Sequence, residues 1–590
     1  MPTLNWIGKD KVINHHREVP FKILEHKYGF NSTDGQVNEP TNSGNKIIHG
    51  DNLEALKALL PEYEGKIDIE YIDPPYNTGK EKWVYTDNVN HPKISKWFED
   101  VVGIEGEDLS RHDKWLCMMY PRLKLLHKLL KDDGIFFCSI DDYEHGNLKP
   151  MLDEIFGTQN FLNNVIWQRA YSPINTKKRF SPNHDYIVCY AKNKEKVNLL
   201  LPRTEDANDR YSNPDNDPRD VWKSSDLSVG PIVEDQVYEI ITPTGRSVWP
   251  PNGYCWRVKK DKFIEMNNDN RIWWGETGNN VPSIKRFLSE VKEGITPMTV
   301  WTYDEVGHTQ DAKKEIKEIF PDSKLPFETP KPTTLIEKIL SLKNKRDAIV
   351  LDSFAGTATT GHAVLNLNKK DGGNRKFILV ELEDYADTIT AERIKKIISG
   401  YKFKGNKRSE LASFSVNITN LKKSNKIIDS YNSFSKDSKY SDVTIEECNG
   451  NIAIVGTEKI DGKIEGISGS FDFYELGKPL FVGDNSEYLN EEVELEKIHE
   501  YIWYSETRTP FEKPKNKDAG SYYLGKKEGL ALYFIYEKEY MTELNYDTLA
   551  TIKTKAEQFI IYADSCLLPK EFMMKNNIVF KKIPRDITHF

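Results

Sequence analysis

The segment Asp68-Ile69-Glu70-Tyr71-Ile72-Asp73-Pro74-Pro75-Tyr76-Asn77 constrains the architecture of this chain more than any other stretch of its length. From Lys66 to Ile72 the pattern alternates and then runs apolar, which predicts a buried strand, and two prolines end it abruptly. An aspartate, two φ-locked prolines and a tyrosine are thereby set at the carboxyl end of a strand. That is the end at which open α/β sheets bind their ligands. Proline has no N–H, so the carbonyls of this stiff turn project outward as acceptors. An amino group on a flat ring suits such a place: Asp73 and the Pro74 carbonyl accept its two hydrogens, and Tyr76 stacks on the ring. The same residues also make an ordinary turn, with Asp bonding its own backbone and Pro fixing the bend.

A second strand and turn lie far downstream. Arg346 to Leu351 begins polar and ends in the buried run Ala348-Ile349-Val350-Leu351. Asp352-Ser353-Phe354-Ala355-Gly356-Thr357-Ala358-Thr359-Thr360-Gly361 follows, and His362-Ala363-Val364-Leu365-Asn366-Leu367 then reads as helix. Strand, small-residue turn and helix form the first unit of a cofactor-binding half-sheet. The turn lacks G-x-G-x-x-G, which disfavours a dinucleotide. Gly356 and Gly361 have P-loop spacing, but His362 and Ala363 replace the required Lys and Ser/Thr, which argues against ATP. Hydroxyls and one permissive glycine suit a cofactor with little phosphate charge. The next strand, Lys376-Phe377-Ile378-Leu379-Val380, ends at Glu381, where an acid accepts from the two ribose hydroxyls of a nucleoside. Alone, Glu381 reads as a solvated strand end; the glycine turn before it favours the ribose.

With Asp73-Pro74-Pro75-Tyr76 ahead of Phe354-Ala355-Gly356, the chain resembles DNA amino-methyltransferases that use S-adenosylmethionine, in the permuted order where the catalytic motif comes first. Ile48-His49-Gly50-Asp51-Asn52-Leu53-Glu54-Ala55-Leu56, Gly307-His308-Thr309-Gln310-Asp311-Ala312-Lys313-Lys314-Glu315 and Thr329-Pro330-Lys331-Pro332 extend the likeness. Together they make it similar to the modification (Mod) subunits of type III restriction–modification systems, which methylate adenine at N6. The resemblance spans nearly the whole chain and is strongest from Lys46 to Arg393.

It implies an α/β fold: a Rossmann-like S-adenosylmethionine-dependent methyltransferase sheet, an inserted target-recognition domain and an additional C-terminal α+β domain. It implies catalysis by Asp73, Pro74, Pro75 and Tyr76. The implied cofactor site is Asp51, Asp73, Lys331, Asp352, Phe354, Gly356, Thr357 and Glu381, with Lys331 on the methionine carboxylate and no metal. Asp51 serves equally well as a helix N-cap. Double-stranded DNA, a second copy in a homodimer and a helicase–nuclease restriction subunit are the implied partners. Similar proteins with Ser in place of Asp act on the N4 amine of cytosine, so Asp73 favours adenine. The alternatives are an N4-cytosine enzyme and a subunit that mainly reads sequence for a restriction complex. One departure stands out. The family's turn reads Phe-x-Gly-x-Gly, and Ala358 occupies the second glycine, where a positive φ would strain it.

At 590 residues the chain exceeds one core and should divide into several domains. No signal peptide and no bilayer-length apolar run are apparent, and the six cysteines are scattered without C-x-x-C. These features predict a cytoplasmic protein with reduced thiols and no structural zinc. The net charge of −9 does not suggest a DNA binder, but binding depends on the local patch. Arg169 to Lys196 holds seven basic residues against Asp185 and Glu195, while acid collects from Glu487 to Glu500. A solvated face explains such a run equally well; its place beyond the catalytic half favours DNA. The expected DNA contacts are Lys177, Lys178, Arg179 and His308.

The expected organisation runs as follows. Residues 1–45 form an irregular arm, and 46–196 the catalytic half, closed by a hairpin of Val165-Ile166-Trp167 with Tyr186 to Tyr190. Residues 197–327 form the target-recognition domain, 328–401 the cofactor half, 402–442 a linker with some helix, and 443–590 an interaction domain. The 197–327 region carries six of the twelve tryptophans among Arg203, Arg210, Arg219, Arg246, Arg257 and Arg271, a mixture that suits base stacking and groove contacts. Most of those tryptophans should nevertheless be core.

Overall fold

Burial on both faces makes Ile67–Ile72 a central strand: all six of its residues are buried. Even Glu70 is enclosed, and neither of its carboxylate oxygens finds a hydrogen-bond partner among the described residues. Burial pushes its carboxyl well above the usual range, only partly offset by Lys192. The computed structural model describes residues 3–78, 111–173, 178–203, 210–291, 294–321, 330–415, 424–448, 451–483, 488–514 and 522–588.

Eleven strands share one mixed sheet. In chain order they are β1 (Lys22–Asn31), β2 (Gly35–Val37), β3 (Lys46–His49), β4 (Ile67–Ile72), β5 (Leu130–Ile140), β6 (Phe161–Gln168) and β7 (His184–Ala191). Four more come from the distal half: β8 (Val300–Trp301), β9 (Ile349–Asp352), β10 (Lys376–Glu381) and β11 (Ser470–Pro479). Their spatial order is β8-β6-β7-β5-β4-β9-β10-β3-β11-β1-β2. From β5 to β11 every neighbouring pair is parallel, as expected of strands whose connections cross over through helices. The helices that matter here are α1 (Asn52–Tyr63), α2 (Arg111–Leu129), α3 (His145–Phe156), α4 (Thr309–Ile319), α5 (Thr333–Ser341), α6 (Thr359–Asp371) and α7 (Glu392–Ser399). Side chains of α1, α2 and α3 join β4, β5 and β10 in one apolar core.

β6 and β7 form the expected hairpin, but the sheet continues beyond it. The two-residue strand β8 pairs parallel to β6 and places Trp301, fully buried, at the edge. The amino-terminal segment is not irregular: β1 is ten residues long and pairs with β11 over most of its length. The expected boundary at residue 443 is crossed as well, because β11 inserts between β3 and β1. The stretch expected to be a linker opens with a strand, Tyr401–Ser415, that pairs with Asn451–Ile464, and the helix Ser424–Ser435 follows. Local composition could not disclose these pairings, since each partner lies tens to hundreds of residues away.

The described residues divide into two compact units. One comprises 1–197, 298–340 and 345–590; the other comprises 198–297 and 341–344. The second unit has its own core, in which Trp256 is fully buried beside Leu227, Ile240 and Phe263. Two of its arginines are committed internally: Arg219 grips Asp217 through two nitrogens, and Arg271 grips Glu290 in the same way. Trp249, by contrast, is 56% exposed. Among the described residues no helix is long and apolar enough to cross a membrane, and no group of His, Cys, Asp and Glu could hold a metal ion.

Candidate active site

Strand register brings the two turns together. β9 lies directly beside β4, with Leu351 opposite Glu70, so both strands deliver their following turns to one edge of the sheet. β10 follows on the other side of β9, with Asp352 opposite Leu379.

In the first turn, Asn77 takes a left-handed conformation (φ 58°) and is buried, its amide donating to the Arg111 carbonyl and to Glu144. The indole of Trp115 donates to the Pro75 carbonyl at 2.7 Å. Among the described residues none donates to the Pro74 carbonyl, which remains an acceptor. Asp73 receives the Lys331 ammonium on both oxygens, at 2.7 and 2.6 Å. That ammonium stands 5.0 Å from the Tyr76 ring and 5.8 Å from the Trp167 ring. Burial, with the charge of Asp73 adding to it, holds the Tyr76 phenol protonated. Cross-strand from Trp167, Asp185 is buried and paired with Arg169 at 2.8 Å. Burial raises Asp185 to about 7 despite the pull of Arg169 and Lys331.

The second turn is held from beneath. Gly356 (φ 51°) and Ala358 (φ 60°) are both left-handed, and Ala358 is the N-cap of α6. Glu381, buried at the end of β10, accepts from Gly356 N at 2.7 Å and Glu383 N at 3.0 Å. Burial pushes its carboxyl up to about 7 against those two amides. Asp352 caps its own turn, accepting from Phe354 N and from the Thr360 hydroxyl, and burial lifts it too to about 7. Thr390 donates to the Gly356 carbonyl at 2.6 Å. Fully buried Arg393 on α7 donates to the Thr357 carbonyl and hydroxyl and to Thr359. The same guanidinium reaches Glu315 on α4, which accepts from Thr333 at the start of α5 and pairs with His362. Thus the 307–315 and 330–333 segments form the scaffold under the glycine turn.

Asp73, Tyr76 and Lys331 meet directly, and Asp352, Phe354, Gly356, Thr357 and Glu381 surround the neighbouring turn. Asp51 acts as N-cap of α1 through Leu53 N, and Arg122 holds it in place. His308 caps α4 by accepting from Asp311 N, in a capping box. Lys178 and Arg179 are exposed on the β6–β7 connection; Lys177 lies outside the described residues. Sequence reasoning missed Trp167, Arg169 and Asp185. Their strands were legible, but which residues face the turn depends on the hairpin register.

The left-handed Ala358 makes a direct test of the turn. A left-handed alanine costs roughly 1–2 kcal/mol, and glycine's looser unfolded chain returns about 0.4–1 kcal/mol of that gain. Ala358→Gly is therefore expected to stabilise the protein by up to about 1 kcal/mol, measured by urea denaturation. A loss of stability would mean that the buried methyl group's packing outweighs the backbone strain.

An orphaned buried atom adds to this picture. The Ser353 hydroxyl is buried with no hydrogen-bond partner among the described residues. Together with the enclosed Glu381 carboxylate and the glycine-lined turn, it is a donor set suited to the hydroxyls of a nucleoside.

Comparison with known proteins gives the same direction. The model of the N6_N4_Mtase family, described as DNA methylase, matches residues 67–392. The chain is similar to the type III restriction-modification enzyme StyLTI Mod subunit of Salmonella typhimurium, at 35% identity over 64% of this chain and 58% of that protein. It is similar to the EcoP15I Mod subunit of Escherichia coli at 30% identity over 65% and 64% of the two chains. The type II methyltransferase M.KpnI of Klebsiella pneumoniae is 34% identical over 60% of this chain and 84% of its own. The match thus spans about three-fifths of the length of the two Mod relatives.

Proposed function

Because the chain belongs to the N6_N4_Mtase family of DNA methylases, we propose that it transfers the methyl group of S-adenosylmethionine to the N6 amine of an adenine in double-stranded DNA. The observation that carries this reading is the adjacency of β4 and β9, which sets an amine-accepting turn beside a nucleoside-accepting one. S-adenosylmethionine, when bound, supplies an electrophilic methyl group on a sulfonium.

The protein's part is positioning. An adenine amine is a poor nucleophile because its lone pair is delocalised into the ring. Asp73 and the Pro74 carbonyl accept its two hydrogens, draw the nitrogen toward tetrahedral geometry and aim the lone pair at the methyl group. In a duplex the amine is base-paired and both faces of its ring are covered by stacking, so the base must leave the stack, and the Tyr76 ring is the platform for it. Glu381 and Ser353 receive the ribose, Phe354 packs on the cofactor, and Gly356 lets it approach the backbone. Lys331 is the nearby cation for the methionine carboxylate once it has left Asp73.

Lys178 and Arg179 would contact phosphate, next to Phe180, which is 92% exposed. The second unit, with exposed Trp249, would read the sequence. The similarity to Mod subunits supports a role in a type III restriction–modification system; a helicase–nuclease subunit and a second copy of the chain are the partners proposed with it. Asp73 rather than serine favours adenine over cytosine N4.

Transfer of radiolabelled methyl from S-adenosylmethionine to DNA, followed by modification-motif sequencing, tests the proposal. Label in N6-methyladenine at one recurrent motif is the expected result. Label in N4-methylcytosine, or none with or without a helicase–nuclease partner, would refute it.

A further inference from the structure

Both oxygens of Asp73 are engaged by a single ammonium, and that ammonium has the chemistry of the proposed substrate. Lys331 delivers N–H groups to Asp73 from 2.7 and 2.6 Å and stands over the Tyr76 ring at 5.0 Å. A base amine would use the same acceptors and the same ring. With both oxygens already facing Lys331, an amine arriving over the Tyr76 ring competes with it for Asp73.

Resting on the methyltransferase reading above, we infer that Lys331 is a gate on the target site: an internal amine that the target base must displace from Asp73. The loop that carries it is built for this. Its backbone is pinned, with Pro330 and Pro332 on either side, the Lys331 carbonyl accepting from Thr359, and Thr333 tied to Glu315. Its side chain is long, unbranched and flanked by rings rather than locked between helices. Once displaced, the ammonium stays among anions, because buried Asp185 and Asp352 both lie within its field.

The gate also discriminates. A base amine that replaces Lys331 restores hydrogen-bond donors to Asp73. A keto oxygen at the same place would set lone pairs against a carboxylate that has just lost its cation, so such a base is rejected by repulsion rather than by missing contacts. Occupancy of Asp73 by Lys331 lowers the apparent affinity for DNA by the fraction of time that the carboxylate is free. Lys331 is in this sense a specificity-determining residue; the methyl transfer itself does not pass through it.

The test uses the full chain and the DNA motif found by sequencing. Lys331→Met removes the ammonium and keeps the stem, and is expected to lower KM for DNA about tenfold, corresponding to a carboxylate free about one-tenth of the time in the wild type. Lys331→Arg, whose fork grips a carboxylate more firmly, is expected to raise KM severalfold while folding normally. In Lys331→Ala, ethylammonium should refill the place and compete with DNA, whereas tetramethylammonium at equal ionic strength, which has no N–H, should not. The gate is overturned if Lys331→Met leaves KM unchanged or raises it, if the two ammonium ions act alike, or if ethylammonium restores kcat. A circular-dichroism spectrum and a cooperative urea transition for each variant report that it is folded. Absence of methyl transfer by the wild-type chain would instead refute the methyltransferase reading; transfer with unaltered KM values refutes the gate alone.

Discussion

Asp73→Asn is expected to reduce methyl transfer by about a hundred- to a thousandfold, the usual scale for removing one preorganised polar group from a reacting centre. The substitution preserves volume but replaces one carboxylate oxygen with an NH2 that faces the incoming amine. It also removes the charge that Lys331 neutralises at 2.6 Å. Asp73→Ala removes both acceptors and should abolish transfer. Glu381, Ser353 and Gly356 lie on other strands and turns, so binding of S-adenosylhomocysteine should stay within about twofold, roughly the half-kilocalorie within which independent sites add. Single-turnover transfer and calorimetric binding measure the two quantities separately. Transfer at the wild-type rate would remove Asp73 from the mechanism; a matching collapse of cofactor binding would make its role structural.

The second large effect lies beneath the glycine turn. Arg393→Met should destabilise the protein by about 3–5 kcal/mol, the cost typical of breaking a buried ion pair from one side. Glu315 would be stranded: burial alone pushes its carboxyl up, and Arg393 and His362 together overcome that and hold it at about 2. The variant should also bind the cofactor more weakly, since Thr357 and Thr359 lose the donor that shapes their turn. The pH dependence has a definite sign. A carboxyl depressed below its unfolded value of roughly 4.3 contributes stability above that pH and loses it as pH falls toward 2. The gap between wild type and variant, followed by urea denaturation, should therefore narrow below about pH 4. Adding Glu315→Gln should recover part of the loss, because no charge is then left buried alone. A variant gap that is flat across pH would place the defect in packing rather than in charge.

Both sites were legible in the sequence to different depths. Asp73 and Glu381 stand at the ends of short buried runs, where strand periodicity and a sharp stop mark the position without any knowledge of the partner strand. Ala358 was legible as a departure, and its φ of 60° is the strain anticipated for alanine in a glycine position. Asp185 was read only as an acid diluting a basic run. Its burial and its pairing with Arg169 depend on the register of β6 against β7, which no local pattern fixes. Arginine counts in the 197–327 region overstated what is available for DNA, because Arg219 and Arg271 are spent on neighbouring carboxylates. The interior charge network of Arg393, Glu315 and His362 joins three helices; the resemblance singled out the segment ending at Glu315, but nothing local paired it with Arg393 and His362.

The insertion of β11 between β3 and β1 has a consequence for the life history of the molecule. Asp472 pairs with Lys46, and Glu475 with His49, across more than four hundred residues of chain. During synthesis β3 therefore waits, with one edge unpaired, until the strand beginning at Ser470 has emerged from the ribosome. Such exposed edges invite pairing with other chains. A nascent or truncated copy ending before residue 470 would carry both turns of the candidate site yet leave β3 and β1 each lacking a neighbour. Completion of this side of the sheet is in this way made conditional on the synthesis of β11.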